Sequence, residues 1–238
     1  ASKIILGIGG TGTSDLGLGL CVPFGLRLLD KNGIELEAIP QNYPKVKKII
    51  LPGRLKLKIE VVLDVKVPLF GRNGTSRVFS PQKGASPEDV NLLEKGVKNI
   101  LRVLKKEHGL DFENTLIGAG GGLTLGLMLI SVTKVITSRE FLVKKLGLRQ
   151  KIRRADLVVS GEGKLDYQSY LEKATGIVIE ETLRLKKRII IIAGSHELPA
   201  KYKKDIEVIS LMDFYKSRSD SIKNYKTGIE KAIISCHL

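Results

Sequence analysis

Short apolar runs alternate with amphipathic stretches along the chain, and this alternation sets the expected elements. Residues 4–8 form an apolar run that breaks into glycine, as a buried strand does on entering a Gly-rich turn. Thr13, Ser14 and Asp15 are candidate caps for a helix reaching about residue 29, and Asp30, Asn32 and Gly33 mark a turn. Residues 58–65 read as a second strand ending before Pro68. Ser86-Pro87-Glu88-Asp89 is a helix start, with Ser as N-cap, Pro at the first position and acids in the first turn. Leu93, Val97, Ile100, Leu101 and Leu104 then keep helical spacing to about residue 106. The glycine cluster 118–122 opens an apolar segment running to about residue 136.

Further on, residues 155–160 predict a strand ending at Gly161, and 167–185 a helix. Residues 188–193 are nearly all apolar, the pattern of a parallel strand covered on both faces. A weaker strand at 206–210 and a helix at 221–234 close the chain. Strands alternating with helices predict an α/β fold with a mainly parallel sheet and flanking helices. The Pro- and Lys-rich stretch 40–56 is the candidate boundary or excursion.

Composition and charge narrow the function classes. The 238 residues are 42% hydrophobic and 27% charged, a globular balance. Forty Lys and Arg against 25 Asp and Glu give +15, which favours anionic partners. The basic runs are scattered and no aromatic residues interleave with them, so they read as solvated surface and make nucleic acid an unlikely partner. Cys21 and Cys236 cannot make a disulfide framework, which fits a reducing, cytoplasmic setting. Cys21 is expected in the core. The longest apolar stretch, 123–130, is far below the roughly 20 residues of a membrane span. His108, His196 and His237 have no zinc-site spacing, although His196 follows a strand end. The chain enters its first strand without a leader or an initiator Met, so a processed or truncated start is expected.

Candidate chemistry sits at four strand-to-loop junctions, where open α/β sheets bind ligands. Gly9, Gly10, Thr11, Thr13 and Ser14 offer backbone N–H groups and hydroxyls to a phosphate; a tight structural turn is the competing reading. The segment is neither a G-x-x-x-x-G-K-[ST] loop nor a good dinucleotide fingerprint. Asp64, at a strand end, suits Mg²⁺, and Gln82 and Lys83 stand on a stiff Pro–Gly loop where Lys83 can meet a phosphate or carboxylate. The cluster 118–122 is explained equally well by close packing or by a ligand. Glu162 and Asp166, beside two glycines, form a metal or general-base corner, with helix capping the alternative for Asp166.

These segments read GGTGTSDLG (9–17), LDVKVPLFGRNGTSRVFSPQKG (63–84), GAGGGLTLG (118–126), SGEGKLDYQSYLEKATGIV (160–178) and IIIIAG (189–194). In that order they resemble the bacterial-type glycerate kinase family, whose pattern is roughly GGSATNDGG, CDVxNPLxGxxGAxxxFGPQKG, GAGxxGGLG and TGEGxxDxQTxxGKxPxGV, then an apolar strand and AG. The resemblance implies ATP-dependent, Mg²⁺-dependent phosphorylation of D-glycerate to 2- or 3-phosphoglycerate by two α/β domains with the site between them. It implies a domain at 1–160 carrying the Gly-rich and PQKG motifs, and the remnant of a Rossmann- or flavodoxin-like domain at 161–238. By this resemblance Asp64 and Asp166 hold Mg²⁺ or activate the glycerate hydroxyl, with Glu162 a further candidate. Lys83 and Gln82 hold the glycerate carboxylate or the transferred phosphoryl, and Gln168 belongs to the nucleotide-binding set.

Two family segments, resembling IAPDSFKGSLSA and DGGEGT, do not occur here. Several positions also depart from the pattern: Ser14 for Asn, Leu16 for Gly, Val67 for Asn, Ser80 for Gly and Glu172 for Gly. A Gly→Leu change is sterically serious where φ is positive. The alternative is therefore a catalytically inactive, truncated remnant that at most binds an anion or nucleotide. A small-molecule substrate, no membrane and a possible homo-oligomer complete the expectations.

Overall fold

The first expected strand forms as β1 (Lys3–Ile8) in a computed structural model that describes residues 1–166, 173–197 and 205–236. The chain parts into two units, Ala1–Thr137 and Ser138–Leu238. The sequence placed a boundary at 160/161; a cut there would sever one continuous strand, Leu157–Leu165.

In the first unit β1 leads through a glycine loop into a single turn of helix, α1 (Leu18–Cys21). The helix expected to reach residue 29 ends early because Pro23 and Gly25 (φ 93°) turn the chain out. Residues 27–29 instead form β2 (Arg27–Leu29), paired antiparallel with β3 (Glu35–Leu36) across the Asp30–Gly33 turn and with β4 (Lys48–Ile50). The stretch 40–56 is thus an excursion within the unit: a 3₁₀ turn, Pro40–Lys45, and then β4.

β5 (Lys58–Leu63) lies between β1 and a later strand, parallel to both. After it come α2 (Thr75–Phe79), the long α3 (Pro87–His108) and α4 (Leu123–Ile130). The Ser86 hydroxyl accepts the Asp89 N–H at 3.1 Å while the Asp89 carboxylate accepts the Ser86 N–H at 2.9 Å, a capping box. Gly109 (φ 68°) ends α3, whose inner stripe of Val97, Ile100, Leu101 and Leu104 is buried. The apolar segment after Gly122 divides into α4 and β6 (Val132–Thr137), which completes the parallel sheet β1-β5-β6. Ile8, Leu63 and Thr137 stand in register at its carboxyl end.

The second unit opens with α5 (Ser138–Glu140), continued by a π-helical turn Phe141–Lys145, and α6 (Leu148–Arg154). β7 (Leu157–Leu165) follows, then α7 (Ala174–Arg184), β8 (Arg188–His196) and β9 (Glu207–Ser210), forming the parallel sheet β7-β8-β9. β7 does not stop at Gly161 as expected. It runs through the SGEG segment because Gly163 and Gly194 let the two strands approach closely; a methyl at Gly194 would strike the Gly163 carbonyl. Leu165, Ile179, Ile189, Ile191 and Ala193 fill the core of this unit. α8 (Arg218–Lys223) and α9 (Tyr225–Ser235) replace the single closing helix expected at 221–234. No helix among the described residues is long and apolar enough to cross a membrane.

Candidate functional site

The carboxyl end of the first sheet gathers three of the four motif segments. Ile8 pairs with Leu63, so the next residues, Gly9 and Asp64, are neighbours; a methyl at Gly9 would lie 3.6 Å from Asp64 Oδ2. Both are exposed. Gly10 takes φ 58°, and the loop then winds through Thr11, Thr13 and Ser14. The Thr11 Oγ1 is buried without a hydrogen-bond partner among the described residues.

The glycine cluster 118–122 is the clamp that sets these loops. A side chain at Gly120 would strike Ile8, one at Gly121 would meet the Thr13 carbonyl and Ser14 Cα, and one at Gly118 would strike the Pro68 carbonyl. Leu16 N–H donates to Gly121 O at 3.0 Å, and Gly118 N–H to Val67 O at 2.7 Å. Packing, one of the two readings the sequence left open, accounts for the cluster. Asp15 is spent locally, its carboxylate accepting the Gly17 and Gly19 N–H groups at 3.2 and 3.3 Å at the start of α1. Cys21 is buried in the core, its thiol donating to the Gly17 and Gly126 carbonyls, and burial followed by the Asp15 charge pushes it up to about 12.

Lys83 joins the second motif to the first. It ends the 3₁₀ turn Pro81–Lys83, which is closed by Gly84 at φ 92°. Its Nζ donates to the Thr13 carbonyl at 2.5 Å and to Ser14 Oγ at 3.4 Å. Partial burial lowers the ammonium below lysine's ordinary value, and Asp15 works against that shift. Gln82 is exposed on the same turn.

Three supports of this site were not legible as such. Ser80 is buried, and its hydroxyl lies 3.3 Å from that of Ser14. Tyr43 donates its hydroxyl to Asp15 O at 2.7 Å. Glu94, buried on α3, accepts the Gly71 N–H at 2.5 Å and so fixes the loop after Asp64. A lone Tyr or Glu so far along the chain carries no local signal.

In the second unit Glu162 and Lys164 alternate along the end of β7, so their side chains share a face, and Asp166 follows directly after the strand. Glu162 accepts the Thr175 hydroxyl at 3.1 Å at the start of α7. Lys164 Nζ stands 3.8 Å from Asp166 and 3.0 Å from Glu197. Gln168 lies outside the described residues. His196 ends β8 and is exposed, while His108 is structural, its Nε2 2.8 Å from Ile49 O. Among the described residues no group of three or more His, Cys, Asp or Glu side chains is placed to hold a metal.

Residues 1–236 match the sequence model of the glycerate kinase family. The chain belongs to that family. An uncharacterized protein of Synechocystis is 32% identical over 98% of this chain and 64% of its own length. Glycerate 2-kinase of Escherichia coli K12 is 36% identical over 82% of this chain and 52% of its own. A crystal structure from Salmonella typhimurium LT2, provisionally named glycerate kinase 2, superposes with a TM-score of 0.67 at 31% identity, covering 88% of this chain and 56% of that one. The chain thus spans between half and two thirds of the length of these relatives. Within the glycerate kinase pattern, the substituted positions Ser14, Leu16, Val67 and Ser80 all fall in the clamped loops of the first unit, and Glu172 lies outside the described residues.

Proposed function

We propose that this glycerate kinase family member transfers the terminal phosphoryl group of ATP to D-glycerate in the cytoplasm, giving 2- or 3-phosphoglycerate. The observation that carries the reading is the seat of Lys83, whose ammonium leaves the PQKG turn to rest on Thr13 and Ser14 of the glycine loop. A cation held beside a loop of backbone N–H groups suits a phosphate or carboxylate. When bound, ATP supplies the phosphoryl group and Mg²⁺ offsets its charge. Asp64, exposed at the end of β5 beside Gly9, fits the way Mg²⁺ is held by one or two carboxylates and the substrate's own phosphates.

In this mechanism Gly9, Gly10, Thr11, Thr13 and Ser14 cradle phosphate. Lys83 and Gln82 hold the glycerate carboxylate or the moving phosphoryl. A glycerate hydroxyl oxygen bonds to phosphorus as the bond to the ADP oxygen breaks, and the hydroxyl proton passes to a carboxylate. Asp64 and Asp166 are assigned to the metal or to that proton, and Glu162 is a further acceptor. Catalysis is mostly positioning and charge neutralisation.

A coupled ADP-release assay with D-glycerate and Mg²⁺ tests this. Lys83→Ala is expected to lower kcat/KM by about 100-fold or more. Unchanged Mg²⁺-dependent activity in Asp166→Ala removes Asp166 from its role. Absence of glycerate-dependent ADP release from the wild-type chain overturns the reading.

A further inference from the structure

Two cavities of the first unit share Ser14 and Pro40 as wall residues. The smaller, about 330 Å³, contains Lys83, Gly12, Ser80 and Gly84, together with Asp89, whose carboxylate is spent on the Ser86 N–H and hydroxyl. The larger, about 680 Å³, has Val22, Leu26, Leu28, Leu36, Ala38 and Ile39 in its walls. Its polar groups are Thr13, Ser14, Asp15 and two carboxylates on exposed residues, Glu35 and Glu37. The two hollows therefore differ in chemistry while sharing Ser14 and Pro40 as a common wall. One offers an ammonium, the other an apolar lining with acceptors.

A ligand that uses both needs an anionic end joined to a largely apolar ring body with hydroxyls. Phosphate alone has no use for the larger hollow, where the Glu37 carboxylate repels it while Asp15 is spent on the Gly17 and Gly19 N–H groups and Glu35 on Arg27. A volume of about 680 Å³ is within the range of small-molecule sites. Free carboxylate oxygens are acceptors for ribose hydroxyls. Glu35 is held in place by Arg27 Nε at 2.8 Å.

We propose that the larger cavity is the nucleoside subsite: the base lies against Leu26, Leu36 and Ile39, the ribose faces Glu35 and Glu37, and the phosphates pass Ser14 toward Lys83. This rests on the kinase reading for the identity of the nucleotide. The cavity belongs wholly to the first unit, so its floor is built by α1, β2 and β3, elements whose residues lie outside the motifs at 63–84 and 118–126.

Calorimetric titration of the full chain with ATP, adenosine and inorganic tripolyphosphate tests it. Wild type is expected to bind ATP at least about tenfold more tightly than tripolyphosphate, and to bind adenosine measurably. Val22→Trp fills the cavity from its exposed wall and Ala38→Leu narrows it from within. Each is expected to weaken ATP by about tenfold and adenosine likewise, with tripolyphosphate held within about twofold. Retained tripolyphosphate binding shows that the variant is folded. ATP no tighter than tripolyphosphate in wild type, or an ATP affinity that neither variant changes, overturns the subsite. Lys83→Ala separates the two ideas. If it leaves tripolyphosphate binding intact, the anion seat fails; adenosine binding that survives Lys83→Ala and is lost in Val22→Trp upholds the subsite regardless.

Discussion

The hydroxyls of Ser14 and Ser80 stand 3.3 Å apart, 66 residues distant in sequence. Both replace a different residue of the family pattern, Asn at the first position and Gly at the second. Two departures far apart in the sequence thus meet in one contact. The side chain gained at position 80 occupies space beside the side chain shortened at position 14. Ser80 is almost fully buried, so the space there is closed.

Restoring one partner alone should therefore overpack the junction. Ser14→Asn is expected to cost about 1–3 kcal/mol, and adding Ser80→Gly to recover most of it. A double-mutant cycle in urea should give a coupling of about 1 kcal/mol, and strict additivity would show that the two positions changed independently.

Leu16 poses the same question with the opposite sign. Its φ is 59°, a left-handed value that costs a non-glycine residue about 1–2 kcal/mol. Yet the side chain is fully buried, and truncating a buried Leu costs about 2–5 kcal/mol. Burial outweighs strain, so Leu16→Gly is expected to destabilise the protein. Leu16→Ala should be worse still, since it loses the packing and keeps the strain. Denaturant midpoints in the order wild type, Gly, Ala check this ranking.

β1, β5, β7, β8, β9 and α3 were legible because they rest on local signals: apolar runs, a Ser-Pro cap and helical spacing; β6 was hidden inside the apolar segment that also makes α4. The motif residues of the first site were legible because they cluster at strand ends. What escaped depends on contacts between distant segments. The helix expected after Asp15 ran too far because the pairing of residues 27–29 with β3 and β4 outweighs their propensity. Likewise β7 runs through SGEG, which looks like a turn, because Gly163 and Gly194 meet across strands. Tyr43 and Glu94 reach the site from elements with no motif of their own.

Gly121 is expected to be the least replaceable residue of the clamp. It has φ 67°, and a methyl there would lie 2.8 Å from Ser14 Cα and press on the Thr13 carbonyl. That carbonyl is the acceptor for Lys83. Gly121→Ala should thus displace the Lys83 seat, weakening tripolyphosphate binding by about tenfold or more in calorimetry. Gly147→Ala is a matched control: it also replaces a positive-φ glycine, but in the second unit, and should leave that affinity alone.

In the second unit Glu181 is buried and takes Arg149 Nε at 2.6 Å, Arg139 Nη1 at 3.0 Å and Arg184 Nη2 at 2.9 Å. Arg149, first by its hydrogen bonds, holds the carboxyl below the usual value, with burial opposing. An acid depressed on folding stabilises the native state above its unfolded value of 4.5 and loses that support as pH falls through the lower folded value. Because the arginines reach solvent, screening leaves about 1–2 kcal/mol for Glu181→Gln. Hydrogen exchange across α7 should show wild-type protection fading as the pH drops below 4.5, and a flatter profile in the variant.

Lys83 carries the opposite kind of shift. Burial lowers its ammonium below the ordinary 10.5, and the Asp15 charge opposes this. A lysine depressed on folding binds fewer protons in the native state than in the unfolded chain. Its contribution to stability therefore rises with pH between the folded value and 10.5, as the unfolded chain gives up its extra proton. Anion binding runs the other way, since only the charged amine holds phosphate. Tripolyphosphate affinity should fall as the pH climbs toward 10.5, and the fall should begin below that value. Lys83→Arg, whose guanidinium stays charged past about pH 12, removes this fall while changing the geometry of the seat. Lys83→Met should bind weakly at every pH. A wild-type profile that parallels that of Lys83→Arg would show that the amine is not the group that holds the anion.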